Sequence, residues 1–139
     1  MKSERALYFK KARLERFCEI AEDYTEMIAD LMEDHGKVRI CDLAQELGVS
    51  HVSVIKTIKK LIRDGYLIDN IHPQIDLTPK GKEMACYSKK KHRILTQFLI
   101  QLGVPEEIAA GDVEGIEHHI SPETLNAFEA HLLPDSFSG

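Results

Sequence analysis

The chain has 139 residues, 43% of them hydrophobic and 29% charged, with a formal net charge of -5. That length suits one compact domain or two small subdomains sharing a core. No apolar run approaches the roughly 18 residues of a membrane span, the charged N-terminus lacks the apolar core of a signal peptide, and three widely spaced cysteines make neither a disulfide framework nor a zinc ribbon. Cys18, Cys41 and Cys86 are therefore expected as free thiols, buried or half-exposed, in a reducing cytoplasm.

The average charge conceals blocks of alternating sign. Residues 1 to 16 hold six Lys/Arg against two acids, and residues 17 to 50 hold two against nine. Residues 51 to 93 carry ten Lys/Arg against four acids, and residues 94 to 139 carry eight acids with no Lys or Arg. Screening limits each charge's reach to about 8 to 10 Å, so the basic middle can meet a polyanion although the whole is acidic.

In chain order, residues 1 to 16 read as a basic, weakly patterned arm, expected to add nonspecific phosphate contacts. Ile20, Tyr24, Met27, Ile28, Leu31 and Met32 form a helical stripe over 17 to 35 that stops at Gly36, a good C-cap residue. A short helix from Arg39 to Leu47, with Leu43, Ala44 and Leu47 inward, is followed by Gly48-Val49-Ser50 and a second helix to about Asp64. This is helix-turn-helix spacing. In the second helix Val54, Ile58 and Leu61 face the core, which turns Val52, Ser53, Lys56, Lys59, Lys60 and Arg63 outward. Small residues at the start of such a helix reach base edges while lysines further along neutralise phosphates. The candidate DNA contacts are Ser50, which also caps the helix, His51, Val52, Ser53, Lys56, Thr57 and Lys60.

Tyr66 to Asp69 and Ile75 to Leu77 alternate apolar and polar around Asn70 to Gln74, the pattern of a two-stranded hairpin whose tip has no Lys or Arg. Thr78-Pro79 opens a long helix that runs through the lysines at 89 to 91, a solvated or phosphate-facing run, to Leu102 and ends at Gly103. A further helix runs from Pro105 to about His119, and Ser121-Pro122-Glu123 begins the last, with Leu125, Phe128 and Leu132 on one side. Leu95, Phe98, Leu99, Leu102, Ile108 and Ile120 add more apolar surface than a domain this small covers alone, which points to a homodimer. The expected fold is mainly α with a small β-wing: an arm at 1-16, an N-terminal winged helix-turn-helix domain at 17-78, and a C-terminal helical metal-binding and dimerisation domain at 79-139.

Glu114, Glu117 and His118 lie at i, i+3 and i+4 and so share one face of a helix, two carboxylates and an imidazole in a stripe that reads as half of a metal site. Asp23 and Glu26, an acidic i, i+3 pair on the first helix, read as the other half. His35, His51, His72, His119 and His131 lack partners at ligand spacing and read as surface or packing residues, with His51 also placed to touch DNA.

These residues carry a family resemblance. Glu22-Asp23-Tyr24-Thr25-Glu26, the run Asp42 to Ser50, Leu77-Thr78-Pro79-Lys80-Gly81, Lys91-His92-Arg93-Ile94-Leu95 and Gly111 to His119 resemble the manganese-dependent transport regulators of the diphtheria-toxin-repressor family. The resemblance runs from about residue 20 to residue 128. It implies a metal site of Asp23, Glu26, His92, Glu114, Glu117 and His118, with Glu26, Glu114 and Glu117 available to bridge two ions per subunit. It also implies a homodimer on a palindromic operator in double-stranded DNA, no membrane partner, and repression of metal-uptake genes. The arm has no counterpart in the shorter members of the family, and the wing tip lacks the basic residues seen in some of them.

All six ligands offer oxygen or imidazole nitrogen, which suits Mn(II) and Fe(II), whereas the iron-responsive branch has sulfur ligands where this chain has Asp23 and Glu114. Mn(II) is thus the expected activator. Fe(II), Co(II), Zn(II) and Cd(II) remain able to substitute, since raw affinity follows the Irving-Williams order. The competing readings are an iron-responsive repressor, a metal-independent winged-helix protein, and a di-metal enzyme; the last lacks a Glu-x-x-His pair repeated on two helices.

Overall fold

The computed structural model describes residues 3-69 and 74-133, apart from the side chain of Glu15. Six helices follow in order: α1 (Glu4–His35), α2 (Ile40–Leu47), α3 (His51–Arg63), α4 (Pro79–Gln101), α5 (Glu106–Ile116) and α6 (Pro122–Ala130). The chain divides into two units, residues 19–86 and residues 1–18 with 87–139, so that α1 and α4 each contribute to both. No helix among the described residues is long and apolar enough to cross a membrane.

In the first of these units Ala21, Tyr24, Ile28 and Leu31 of α1, Leu43 and Ala44 of α2, and Val54 and Leu61 of α3 are buried. The turn between α2 and α3 is set by Gly48, whose φ of 66° suits a residue without a side chain and whose N–H returns to the Ala44 carbonyl. Ser50 then starts α3, its Oγ accepting from the Ser53 N–H at 3.1 Å. At the start of α2 the Asp42 carboxylate accepts from the Arg39 N–H at 2.9 Å. The first turn of α4 is fastened to the end of α3. Thr78 Oγ1 donates to the Gly65 carbonyl and accepts from the Gly81 N–H, and Lys80 Nζ donates to the Asp64 carbonyl at 2.8 Å.

Four expectations need correction. The basic arm is helical from Glu4, so α1 begins well before residue 17. Ile20 is 41% exposed while Ala21 is buried; about 100° of rotation per residue places Ala21, not Ile20, at the centre of the stripe formed by Tyr24, Ile28 and Leu31. All three cysteines are exposed. Lys91, expected on a solvated or phosphate-facing run, is only 5% exposed; its ammonium lies 5.3 Å from the centre of the Tyr87 ring, an arrangement that shelters the aliphatic stem and keeps the charge favourably placed.

Among the described residues no strand forms where the hairpin is expected. A single antiparallel bridge joins Leu67 and Leu77, flanked by Ile68 N–H to the Asp76 carbonyl at 2.9 Å and Thr78 N–H to the Tyr66 carbonyl at 3.0 Å. The Ile75 N–H points away from this pairing and bonds to the Val38 carbonyl at 3.0 Å. Leu67, Ile75 and Leu77 are buried and Ile68 is exposed, so the alternation holds locally. The tip residues Asn70, Ile71, His72 and Pro73 lie outside the described residues.

In the other unit Ile94 and Leu95 of α4, Val113 of α5 and Leu125 of α6 form the core, with Leu99, Ile120, Phe128 and Leu132 packed against it. The rings of Phe98 and Phe128 stack at 4.2 Å. Ser121 caps α6 by accepting from the Thr124 N–H.

Candidate metal centre and nucleic-acid interface

α5 ends at Ile116, earlier than the expected His119, yet Glu117 keeps helical backbone angles and its N–H still reaches the Val113 carbonyl. Glu114 and Glu117 therefore stay on one side, as their spacing requires. His118 and His119 follow in a turn, where helical angles no longer fix which way they point; the His119 N–H bonds to the Ile116 carbonyl.

That turn packs Glu117 into the unit: it is only 4% exposed. Nδ1 of His92, from α4, lies 3.1 Å from one carboxylate oxygen, and Nε2 of His118 lies 3.6 Å from the other. Glu114 completes a group with His92 and Glu117 in which one donor atom from each lies within 4.8 Å of the others. Metal–oxygen bonds of about 2.0 to 2.6 Å allow ligands of one ion to be up to about 5 Å apart, so the group can close on a single cation. Two carboxylates and an imidazole, with no sulfur, fit a hard or borderline divalent ion. His92 had no ligand spacing in sequence to single it out; the approach of α4 to the end of α5 supplies it. Asp23, exposed, and Glu26, half-buried, stand one turn apart on α1 in the other unit.

Burial pushes the Glu117 carboxyl above its usual value, opposed by the hydrogen bond and charge of His92 and reinforced by the charge of Glu114. Because protons compete with a cation for this carboxylate, metal affinity should begin to fall, as pH is lowered, at a higher pH than ordinary carboxylate ligands would give. The sign for the metal-free fold is opposite. The raised folded value contributes stability that is full below the ordinary 4.5 and lost as pH rises through the folded value. Mn(II) titrations between pH 5 and pH 8, alongside thermal unfolding without metal, should show these opposite slopes.

On α3, Val54 and Leu61 are fully buried and Ile58 half-buried, while His51, Val52, Ser53, Lys56, Lys59, Lys60 and Arg63 are exposed; Thr57 is half-buried. Val52 at 61% and Ile55 at 39% exposure put two apolar side chains beside the lysines. Ile55 was not among the sequence candidates, because its place between core and surface is set by how α3 rolls. Such a face offers cations to phosphates and methyl groups to thymine. The Ser50 hydroxyl is already an acceptor for its own helix, leaving its proton free for donation.

The class these features define is a metal-dependent transcriptional regulator, with a helix-turn-helix and a carboxylate-imidazole centre in one chain. Residues 16–71 match the family described as "Iron dependent repressor, N-terminal DNA binding domain", and residues 78–133 match "Iron dependent repressor, metal binding and dimerisation domain". The chain belongs to this iron-dependent repressor family, the family of the diphtheria-toxin repressor. It is 42% identical over 122 residues to "Transcriptional regulator MntR" of Salmonella typhimurium, covering 88% of this chain and 78% of that protein. It is 46% identical over 105 residues to "HTH-type transcriptional regulator MntR" of Bacillus pumilus, covering 76% and 73%. Among solved structures, "Manganese-dependent transcriptional repressor complex with manganese" superposes with a TM-score of 0.70 at 29% identity, covering 79% of this chain and 51% of that one. "Crystal Structure of ScaR with bound Zn2+" gives 0.70 at 27% identity, covering 79% and 52%. The chain thus spans about half the length of these solved relatives and about three quarters of the two MntR proteins.

Proposed function

We propose that the protein is a Mn(II)-activated repressor of metal-uptake genes that binds a palindromic operator as a homodimer in the cytoplasm. The single observation that carries the metal reading is the convergence of His92, Glu114 and Glu117 around one point with no sulfur among them. Asp23, Glu26 and His118 complete the ligand set, and Glu26, Glu114 and Glu117 are the carboxylates able to bridge a second ion in each subunit. Residues 17-78 serve as the DNA-binding domain, with Ser50, His51, Val52, Ser53, Lys56, Thr57 and Lys60 against the operator and the segment around the Leu67–Leu77 bridge as a wing. Residues 79-139 hold metal and the dimer partner.

The physical basis of activation is charge. The four carboxylates assigned to one centre repel one another without metal, and divalent ions cancel that repulsion and restrict the ensemble to the conformations that fit DNA. Operator and metal must then strengthen each other's binding by the same factor. When bound, the ion supplies only this bridging charge. In the metal-free state the Glu117 carboxylate and His92 Nδ1 stand 3.1 Å apart and keep each other in place.

Fluorescence anisotropy with a labelled operator, at fixed ionic strength and with Mn(II), Fe(II), Co(II), Zn(II), Cd(II) or chelator, tests this reading. Mn(II) should tighten binding by at least tenfold over chelator. Equal affinity in chelator and in Mn(II) would establish metal-independent DNA binding, and activation by Fe(II) alone would assign the chain to iron.

A further inference from the structure

Leu7, Tyr8, Phe9 and Leu14, all in the first four turns of α1, are 51%, 68%, 52% and 60% exposed. At about 100° per residue they do not form one stripe: Leu7 and Leu14 share a face, Tyr8 lies about 100° round from Leu7, and Phe9 faces nearly opposite Leu14. Apart from an edge-to-face contact between the Tyr8 and Phe9 rings, each of these large apolar side chains stays more than half exposed in a single chain, and apolar surface of this extent marks an interaction site. Phosphate contact would explain Arg5, Lys10, Lys11, Arg13 and Arg16 but would leave these four side chains in water.

The same segment falls before residue 16, where the family match begins, and it groups with residues 87–139 rather than with the helix-turn-helix. Residues 4 to 16 carry five Lys/Arg and two acids, whereas residues 94 to 139 carry eight acids and no Lys or Arg. The surface of that acidic region is itself apolar in places, with Leu102 66%, Ile108 56% and Ile116 40% exposed. It also belongs to the region matched as a dimerisation domain.

We propose that the helical arm, residues 4 to 16, docks onto the acidic C-terminal helices of a second copy of this chain, extending the family's dimer interface with an apolar and oppositely charged contact. Large aromatic side chains bury about 150 to 250 Å² each, so the four exposed residues offer on the order of 400 Å² per arm. Two arms related by symmetry would add roughly 800 Å² before the surface they cover is counted, a substantial fraction of a standard interface of about 1,600 Å². The opposite charges align the arms and disfavour arm against arm. The proposal rests on the homodimer reading above.

Sedimentation of the full chain without DNA, as parent and as the double variant Tyr8→Ser/Phe9→Ser, reads the contact directly. The variant should raise the dimer Kd by at least tenfold while the dependence of operator affinity on salt, measured above the Kd, keeps its slope. Replacing Tyr8 alone by a benzophenone amino acid should give a covalent dimer on illumination in the absence of DNA, a readout that survives if the double variant fails to fold. An unchanged Kd, or a photoproduct with operator DNA and none with protein, overturns the proposal and assigns the arm to phosphates. A monomeric parent overturns the homodimer reading and this proposal together; a dimeric parent indifferent to the arm overturns this proposal alone.

Discussion

Glu117→Gln is expected to abolish Mn(II)-dependent operator binding without unfolding the protein, with metal affinity falling by about 100-fold or more. Even partners that only orient a metal ligand are worth about 10- to 100-fold, and Glu117 is placed as a ligand itself, nearly buried with His92 on one oxygen and His118 near the other. The amide keeps the volume and an acceptor for the His92 N–H, so packing is preserved. It removes a charge that burial disfavours, and the metal-free protein should therefore be as stable as the parent or up to about 1 kcal/mol more stable at neutral pH. That pairing of lost response with retained or increased stability separates a ligand from a structural carboxylate. Calorimetric titration with Mn(II) and thermal unfolding in chelator measure the two halves; unchanged Mn(II) affinity would remove Glu117 from the centre.

Gly81→Ala should be severely destabilising, by about 3 kcal/mol, with a fall of about 10 °C in Tm. A Cβ at Gly81 would run into the Tyr66 carbonyl and press on the Leu77 side chain at 3.0 Å. Neither neighbour can retreat freely. The Tyr66 carbonyl accepts the Thr78 N–H, and Leu77 is both buried and paired with Leu67. Relief would have to come from moving α4 away from the end of α3, which also breaks the Thr78 and Lys80 bonds to Gly65 and Asp64. Gly111→Ala is the contrast: it sits in α5 with nothing within 4 Å of the added carbon, so it should gain about 0.5 to 1 kcal/mol from helix propensity. Denaturant melts of the two variants should move in opposite directions; a Gly81→Ala protein as stable as the parent would refute the close approach.

The motif Leu77-Thr78-Pro79-Lys80-Gly81 is legible in sequence as a helix start, through its Thr cap and its Pro at the first helical position. The role of its glycine is not. It arises from the proximity of Tyr66, fifteen positions earlier in the chain, and no local pattern records that distance. Ile20 and Lys91 fail for a related reason. Helical periodicity gives the direction of a side chain to within about a third of a turn, and whether that direction is covered depends on what packs there.

What the sequence determined by itself is the set of local choices: helix starts at Ser50, Thr78 and Ser121, the glycine that turns α2 into α3, the apolar stripes of α3 and α6, and the candidate pair Glu114 and Glu117 one turn apart. These depend on backbone conformation and on neighbours three or four residues away, and such interactions are written in the order of residues. Tertiary structure alone decided that α5 stops at Ile116, that the turn beyond it buries the Glu117 carboxylate, and that His92, 25 residues earlier in the chain, stands 3.1 Å from it. A metal centre needs donors within a few ångströms of one point, and that convergence comes from the packing of helices around a core rather than from the spacing of letters.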